Sequence, residues 1–309
     1  MNEKPDLSTK LGKLVLKNPV MNACATMGYC KEFADLVDLT RLGAILPKTV
    51  TLQPRLGTFQ YRFEEVAGCA DLRTQGLQNV GVERFIKEKL PYLAGIGVPV
   101  IVNTWAATIE EHVKLVEILN KVDGIAAYEL SCTCPNIVEE RARALSWDPN
   151  ECVNLVRAIR NATDLPLISK SPTNVSMTAF AKAAEEGGAD AFHVQAGLLG
   201  MAVDVNTQRS KLGKNFIVVL GGPWLIPYTV SLVWQAAQVI KIPIIASGGI
   251  TCTDDALQCL IAGATAVQIG THNFVDPEAT VKTIDGIETF LKSKGIGSIQ
   301  NIIGSLIPS

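Results

Sequence analysis

The chain has 309 residues, 48% hydrophobic and 19% charged, with a formal net charge of −2. That balance supports a large apolar core and excludes both a basic nucleic-acid groove and a polybasic membrane patch. Residues 1–13 lack the apolar segment of a secretion signal, and no later apolar run approaches the ~18 residues needed to span a bilayer, so the expected location is cytoplasmic, with no membrane or nucleic-acid partner.

Runs of β-branched and apolar residues predict strands at 20–24, 44–50, 98–105, 126–132, 166–171, 191–197, 242–248 and 265–270. Amphipathic stretches of helical period fall between them, at 109–119, 151–159, 177–186, 230–239 and 254–262, several closed by glycines such as Gly187-Gly188 and Gly263. Eight strands alternating with helices predict a parallel sheet, and with this length an α/β chain folded as a single (β/α)8 TIM barrel over 1–309. Two stretches, 51–79 and 200–222, are too long and turn-rich for a minimal barrel and are expected to form lids or pocket walls.

In such barrels the chemistry sits at the C-terminal ends of the strands. Lys48 and Lys170 both end buried strands, where a lysine is costly unless it meets an anion. Ser247-Gly248-Gly249 and Gly270-Thr271 follow the last two strands, where glycine-rich backbone suits a phosphate on a substrate or a cofactor. Cys134, just past the fourth strand in Cys134-Pro135-Asn136, is either a proton-transferring or nucleophilic thiol or a buried structural one. Cys132 and Cys134 form a C-x-C without a second ligand pair, so no metal site is expected. The eight cysteines have no regular spacing and read as reduced thiols. His112, His193 and His272 are scattered and read as packed or solvated; His193, inside a strand, faces either the barrel interior or the helices.

In order along the chain, Asn18-Pro19, Ala23-Cys24-Ala25, Lys48, Gly76-Leu77-Gln78-Asn79, Asn103, Cys134-Pro135-Asn136, Lys170, Gly221-Gly222-Pro223, Ser247-Gly248-Gly249 and Gly270-Thr271 are present. With these the sequence resembles the class 1 dihydroorotate dehydrogenases, and 242–249 with Gly270-Thr271 and Asn273-Phe274 is similar to their two-subunit branch. The resemblance implies an FMN-binding barrel. The phosphate would lie on the backbone of Gly248, Gly249, Gly270 and Thr271, with Gly221 and Gly222 also on the cofactor, and the flavin ring against Ala23 and Ala25. Lys170 would stand beside flavin N1, Asn103 would touch the ring, and Lys48 would serve flavin and substrate. Cys134 would exchange a proton with substrate carbon while hydride passes between that substrate and flavin N5. Gly76 and Leu77 would border the substrate. A homo-oligomer is expected, with an iron–sulfur and FAD partner subunit carrying electrons toward NAD.

The substrate positions depart from that pattern. Where the family has four asparagines that read orotate, this chain has Arg73, Ser131, Asn136 and Ala196, followed by Gly197 in place of Ser or Thr. Each lost amide leaves a buried polar edge unpaired, a cost of roughly 1–3 kcal/mol. Arg73 adds a planar cationic fork suited to a carboxylate or phosphate. The sequence therefore predicts an FMN oxidoreductase acting on a small anionic substrate other than dihydroorotate. The alternatives are an authentic dihydroorotate dehydrogenase of pyrimidine biosynthesis, and a non-redox phosphate-binding lyase with Lys170 as a Schiff-base amine.

Overall fold

Alternate inward and outward positions along short apolar strands determine the architecture. The computed structural model describes residues 4–58, 61–66, 70–132, 148–214 and 216–307. Its strands in chain order are β1 (Thr9–Leu11), β2 (Leu14–Leu16), β3 (Val20–Asn22), β4 (Phe63–Val66), β5 (Ala70–Arg73), β6 (Ile101–Thr104), β7 (Ala127–Ser131), β8 (Leu167–Lys170), β9 (Ala191–Gln195), β10 (Leu198–Gly200), β11 (Val203–Asp204), β12 (Arg209–Ser210), β13 (Val218–Gly221), β14 (Ile244–Ser247) and β15 (Ala266–Ile269).

The strands β3-β15-β14-β9-β8-β7-β6 form one parallel sheet in that order. The segment 44–50 bridges both of its edges, Ala44 to Met21 on β3 and Ile45 to Val100 beside β6, which closes the sheet into a (β/α)8 barrel. The eighth strand is thus a run of bridges around Pro47, which has no N–H to donate to a ladder.

Because parallel strands are buried on both faces, each contributes to two apolar regions. Val20, Val102, Tyr128, Leu130, Leu167, Phe192, Val194, Ala246 and Val267 face the surrounding helices. Met21, Ile101, Ala127, Ile168, Ala191, Ile245 and Ala266 form an inner cluster near the strand starts, joined by Leu11, Leu14 and Leu16 of the β1-β2 hairpin. One step further along each strand the inward position turns polar: Asn103, Glu129, Lys170, His193, Ser247 and Gln268. The barrel interior is therefore layered, apolar below and polar above.

The helices Ile109–Leu119, Pro149–Ala162, Met177–Gly187, Ile226–Ala237 and Thr253–Ala262 flank the sheet where the periodicity places them, followed by Ala279–Lys294. Their ends follow local chemistry: Thr108 caps the first by accepting from Glu111 N at 3.2 Å, and Gly188 closes the third at φ 92°. The two long insertions meet. β4 and β5 from 51–79 pair antiparallel with β13 from 200–222 and with β10, which leads into that stretch, in the order β10-β13-β5-β4, with Val219 opposite Arg73.

Candidate active site

A cleft opens at the C-terminal ends of the barrel strands. It is lined by Cys24, Ala25, Lys48, Thr49, Gln75, Gly76, Leu77, Gln78, Asn103, Ser131, Lys170, Gln195 and Val219. The barrel supplies its floor and the inserted sheet one wall. Ala25 and Leu77 sit in the left-handed region at φ 70° and 55°, beside Gly76 at 58°. Side chains other than glycine pay for that conformation, and strained backbone of this kind concentrates at binding sites.

The polar layer beneath the cleft is a connected network. Glu129, fully enclosed, takes Asn103 Nδ2 at 2.7 Å on Oε1, with Lys170 Nζ 3.6 Å from the same oxygen. Its Oε2 takes Gln268 Nε2 at 2.8 Å and lies 2.7 Å from His193 Nδ1. Burial opposes the charge on Glu129, but the Lys170 charge and the hydrogen bonds from His193 and Gln268 outweigh it and hold the carboxyl well below its usual range. Burial lowers His193, against the pull of Glu129, so the ring is neutral at pH 7. An ionised carboxylate only accepts, so Nδ1 carries the proton, and Nε2 accepts from the Ser247 hydroxyl at 2.8 Å. Thr49 donates to Asn103 Oδ1 at 2.6 Å, fixing that amide as a donor toward Glu129.

Lys48 reaches Gln78 Oε1 at 3.3 Å, an oxygen that also accepts from Arg62 Nη1 at 2.7 Å. Burial and then the Arg62 charge lower the Lys48 ammonium, which suits it to an arriving anion. Cys24, between Pro47 O and Thr49, is raised to about 11 by burial and remains a thiol.

The glycines gather at one rim. Gly248 has φ 122°, and a Cβ there would stand 2.5 Å from Ala196 O; Gly249 has φ 76°, and its Cβ would stand 2.9 Å from Ile226 N and 3.1 Å from Gly222 O. Thr229 holds Gly248 O at 2.7 Å. Gly222, Gly248 and Gly249 thus surround the start of helix Ile226–Ala237, whose N-terminus favours an anion. Gly270 opens the turn Thr271–Phe274, and a Cβ there would stand 3.6 Å from Ala23 Cβ.

Of the residues predicted from sequence, Ala25, Lys48, Gly76, Leu77, Asn103, Ser131 and Lys170 come together on the cleft. Ala196 is buried beneath Gly248, and Gly197 faces Thr173 and Val219. Arg73 does not line the cleft: its Nη1 lies 3.4 Å from Asp71 Oδ1, and its guanidinium packs where a Gly221 side chain would stand. Cys134 and Asn136 lie outside the described residues. Sequence reasoning passed over Glu129 and Gln268, and it read His193 as packed or solvated rather than as part of the site. Glu129 was detectable, being a charge between Tyr128 and Leu130 in a strand that is otherwise apolar.

A barrel with two lysines over a polar floor and a glycine rim beside a helix N-terminus defines a class of phosphate-accepting α/β enzymes. Comparison with known proteins narrows this: the model of the family "Dihydroorotate dehydrogenase" matches residues 6–291. The chain is 43% identical to the dihydroorotate dehydrogenase B (NAD(+)) catalytic subunit of Geotalea uraniireducens over 98% of this chain and 99% of that one. It is 42% identical to the subunit of that name from Geotalea daltonii and 40% identical to that from Geobacter sulfurreducens, with the same coverage. The chain belongs to the dihydroorotate dehydrogenase family, whose catalytic chains are FMN-dependent oxidoreductases acting on a CH–CH group. The residues fit that cofactor: Gly248 and Gly249 leave a cradle that a Cβ would close, and Lys170 and Asn103 lie on the floor of the same cleft.

Proposed function

We propose that this chain is the catalytic subunit of a dihydroorotate-oxidising flavoenzyme. The observation that carries the reading is the convergence of Lys48, Lys170 and Asn103 on one cleft in a chain of this family. The bound FMN would supply the two-electron acceptor. Gly222, Gly248, Gly249, Gly270 and Thr271 would hold its phosphate, Ala23 and Ala25 its ring, and Lys170 would stabilise negative charge beside it. Lys48 would meet the substrate carboxylate. Cys134 would take the proton from substrate carbon.

Sequence alone placed a different anionic substrate first, on two grounds. One was Arg73 as an anion selector, but that charge is already matched by Asp71. The other was the loss of three asparagines. The cleft carries Gln75, Gln78 and Gln195, whose amides supply donors and acceptors from other positions. These two observations favour dihydroorotate. The small side chain of Ser131 keeps a second reading open, a bulkier substrate of the same chemistry.

The relatives' names describe catalytic subunits of an NAD(+)-linked enzyme, and we extend to this chain an electron-transfer partner subunit. Among the described residues no helix is long and apolar enough to cross a membrane. Titrating the FMN-loaded protein with orotate tests the substrate assignment: a saturable change in the flavin absorption band is expected, and no change up to millimolar orotate contradicts it.

A further inference from the structure

Two groups that face the proposed flavin site, Lys170 and Asn103, share one buried oxygen, Oε1 of Glu129. They arrive from opposite sides, Asn103 on β6 and Lys170 on β8, with Glu129 on the strand between. The other oxygen is held by His193 on β9 and Gln268 on β15, so four strands fix the position of this carboxylate. Ser247, which directly precedes the Gly248-Gly249 cradle, completes the chain through His193 Nε2. The rim that receives a phosphate and the floor beneath the ring are thereby tied together through Glu129.

We propose that Glu129 is a positioning residue that sets the reduction potential of the bound flavin by acting through Lys170. This rests on the reading of Lys170 and Asn103 as flavin-facing. The Lys170 cation favours the reduced flavin, which carries negative charge. A carboxylate 3.6 Å from that cation, with no solvent around it, offsets part of its field. Neutral His193 and the two amides orient Glu129 without cancelling its charge, because all three are uncharged donors. Cys24 remains a neutral thiol and adds no charge of its own. Lys170 and Glu129 therefore act as a nearly neutral pair that restrains the potential, while Glu129 also holds Asn103 and Lys170 in one fixed geometry.

The test uses the FMN-loaded full chain and a spectroelectrochemical titration of the flavin at pH 7. In Glu129→Gln the carboxylate charge is gone and the lysine is left uncompensated. The reduction equilibrium should move at least tenfold toward reduced flavin, a rise of about 30 mV or more for a two-electron couple. A reduction equilibrium shifted by less than tenfold, or shifted toward oxidised flavin, overturns the proposal. A role confined to packing would change thermal stability or FMN affinity and leave the potential in place.

Glu129→Gln puts an amide N–H against either Asn103 or Gln268 in place of an acceptor, so a second comparison makes the same change where Lys170 is absent and reads only the difference between the two backgrounds. Lys170→Met alone should lower the potential strongly, since the carboxylate is then uncompensated. Adding Glu129→Gln to it should recover at least tenfold of that loss. If the double variant titrates like Lys170→Met, Glu129 is electrostatically silent and the inference fails. A parent chain that takes up no FMN overturns the flavin-site reading itself, before any variant is compared.

Discussion

His193 donates its Nδ1 proton to Glu129 across 2.7 Å, and neither side chain is reached by solvent. A neutral histidine locked in one tautomer resists protonation. His112, enclosed beside Thr104 Oγ1 at 2.9 Å, is lowered by burial to about 4.

These two histidines predict acid sensitivity. In the unfolded chain both take up protons near 6.5, while in the folded chain both resist, so the unfolded state binds more protons as the pH falls. Stability is then fully present above about 6.5 and declines toward pH 4, with His112 alone accounting for something on the order of 3 kcal/mol. Urea midpoints should hold level from pH 7.5 to about 6.5 and fall from there to pH 4.5. A flat profile between 6.5 and 5 would show that the buried rings take up protons without penalty.

Gly248 and Gly297 give a matched pair of alanine substitutions. Gly248→Ala forces a side chain at φ 122° to within 2.5 Å of Ala196 O, and that neighbour is backbone. It should cost about 2–4 kcal/mol of stability and weaken FMN binding at least tenfold. At Gly297 nothing stands within 4 Å of the added Cβ, and alanine there should be within about 0.5 kcal/mol of the parent. Thermal denaturation and FMN titration of both variants check this, and equal effects would remove the cradle argument.

Arg73 and Asp71 are predicted to behave as a pair. Asp71 is raised mainly by burial and relieved by Arg73, so Arg73→Asn should destabilise the chain by roughly 1–2 kcal/mol, discounted because the guanidinium is partly solvated. Combining it with Asp71→Asn should return most of that loss. Additive losses in the double-mutant cycle would mean the two charges do not interact, and would return Arg73 to the role of a ligand for anions.

The two neighbouring cysteines should separate cleanly. Cys132 packs in the core, where a hydrogen bond to Cys152 and burial push its thiol well above the usual range, so it is a poor proton acceptor. Cys132→Ala should retain substrate-driven flavin reduction, whereas Cys134→Ala should slow it by at least a hundredfold. Rapid-mixing absorbance on both variants decides, and the reverse order of effects would exchange the two roles.

Much of the barrel was legible because its strands and helices announce themselves locally. The run 242–248 contains β14, and the pattern 109–119 matches helix Ile109–Leu119. Residues at strand ends such as Lys48, Asn103 and Lys170 followed from the rule that such barrels work at that face. The inserted sheet was not legible, because Val219 meets Arg73 across a large sequence separation and neither 51–79 nor 200–222 carries a strong strand pattern alone. The pairing of Arg73 with Asp71 was hidden for the same reason: alternation along β5 puts Asp71 on its side of the sheet, but only once β5 is known to be a strand. The inward face of His193 was ambiguous because β9 is apolar on both sides, and only the helices packed on Phe192 and Val194 settle which way it points.

The substrate assignment is tested most directly by mixing FMN-loaded protein with dihydroorotate without oxygen and following the flavin absorbance. The account predicts rapid bleaching at micromolar dihydroorotate, with orotate as the product. Absent or very slow bleaching at millimolar dihydroorotate, in protein whose flavin is reduced normally by dithionite, would contradict it and assign this cleft to a different substrate.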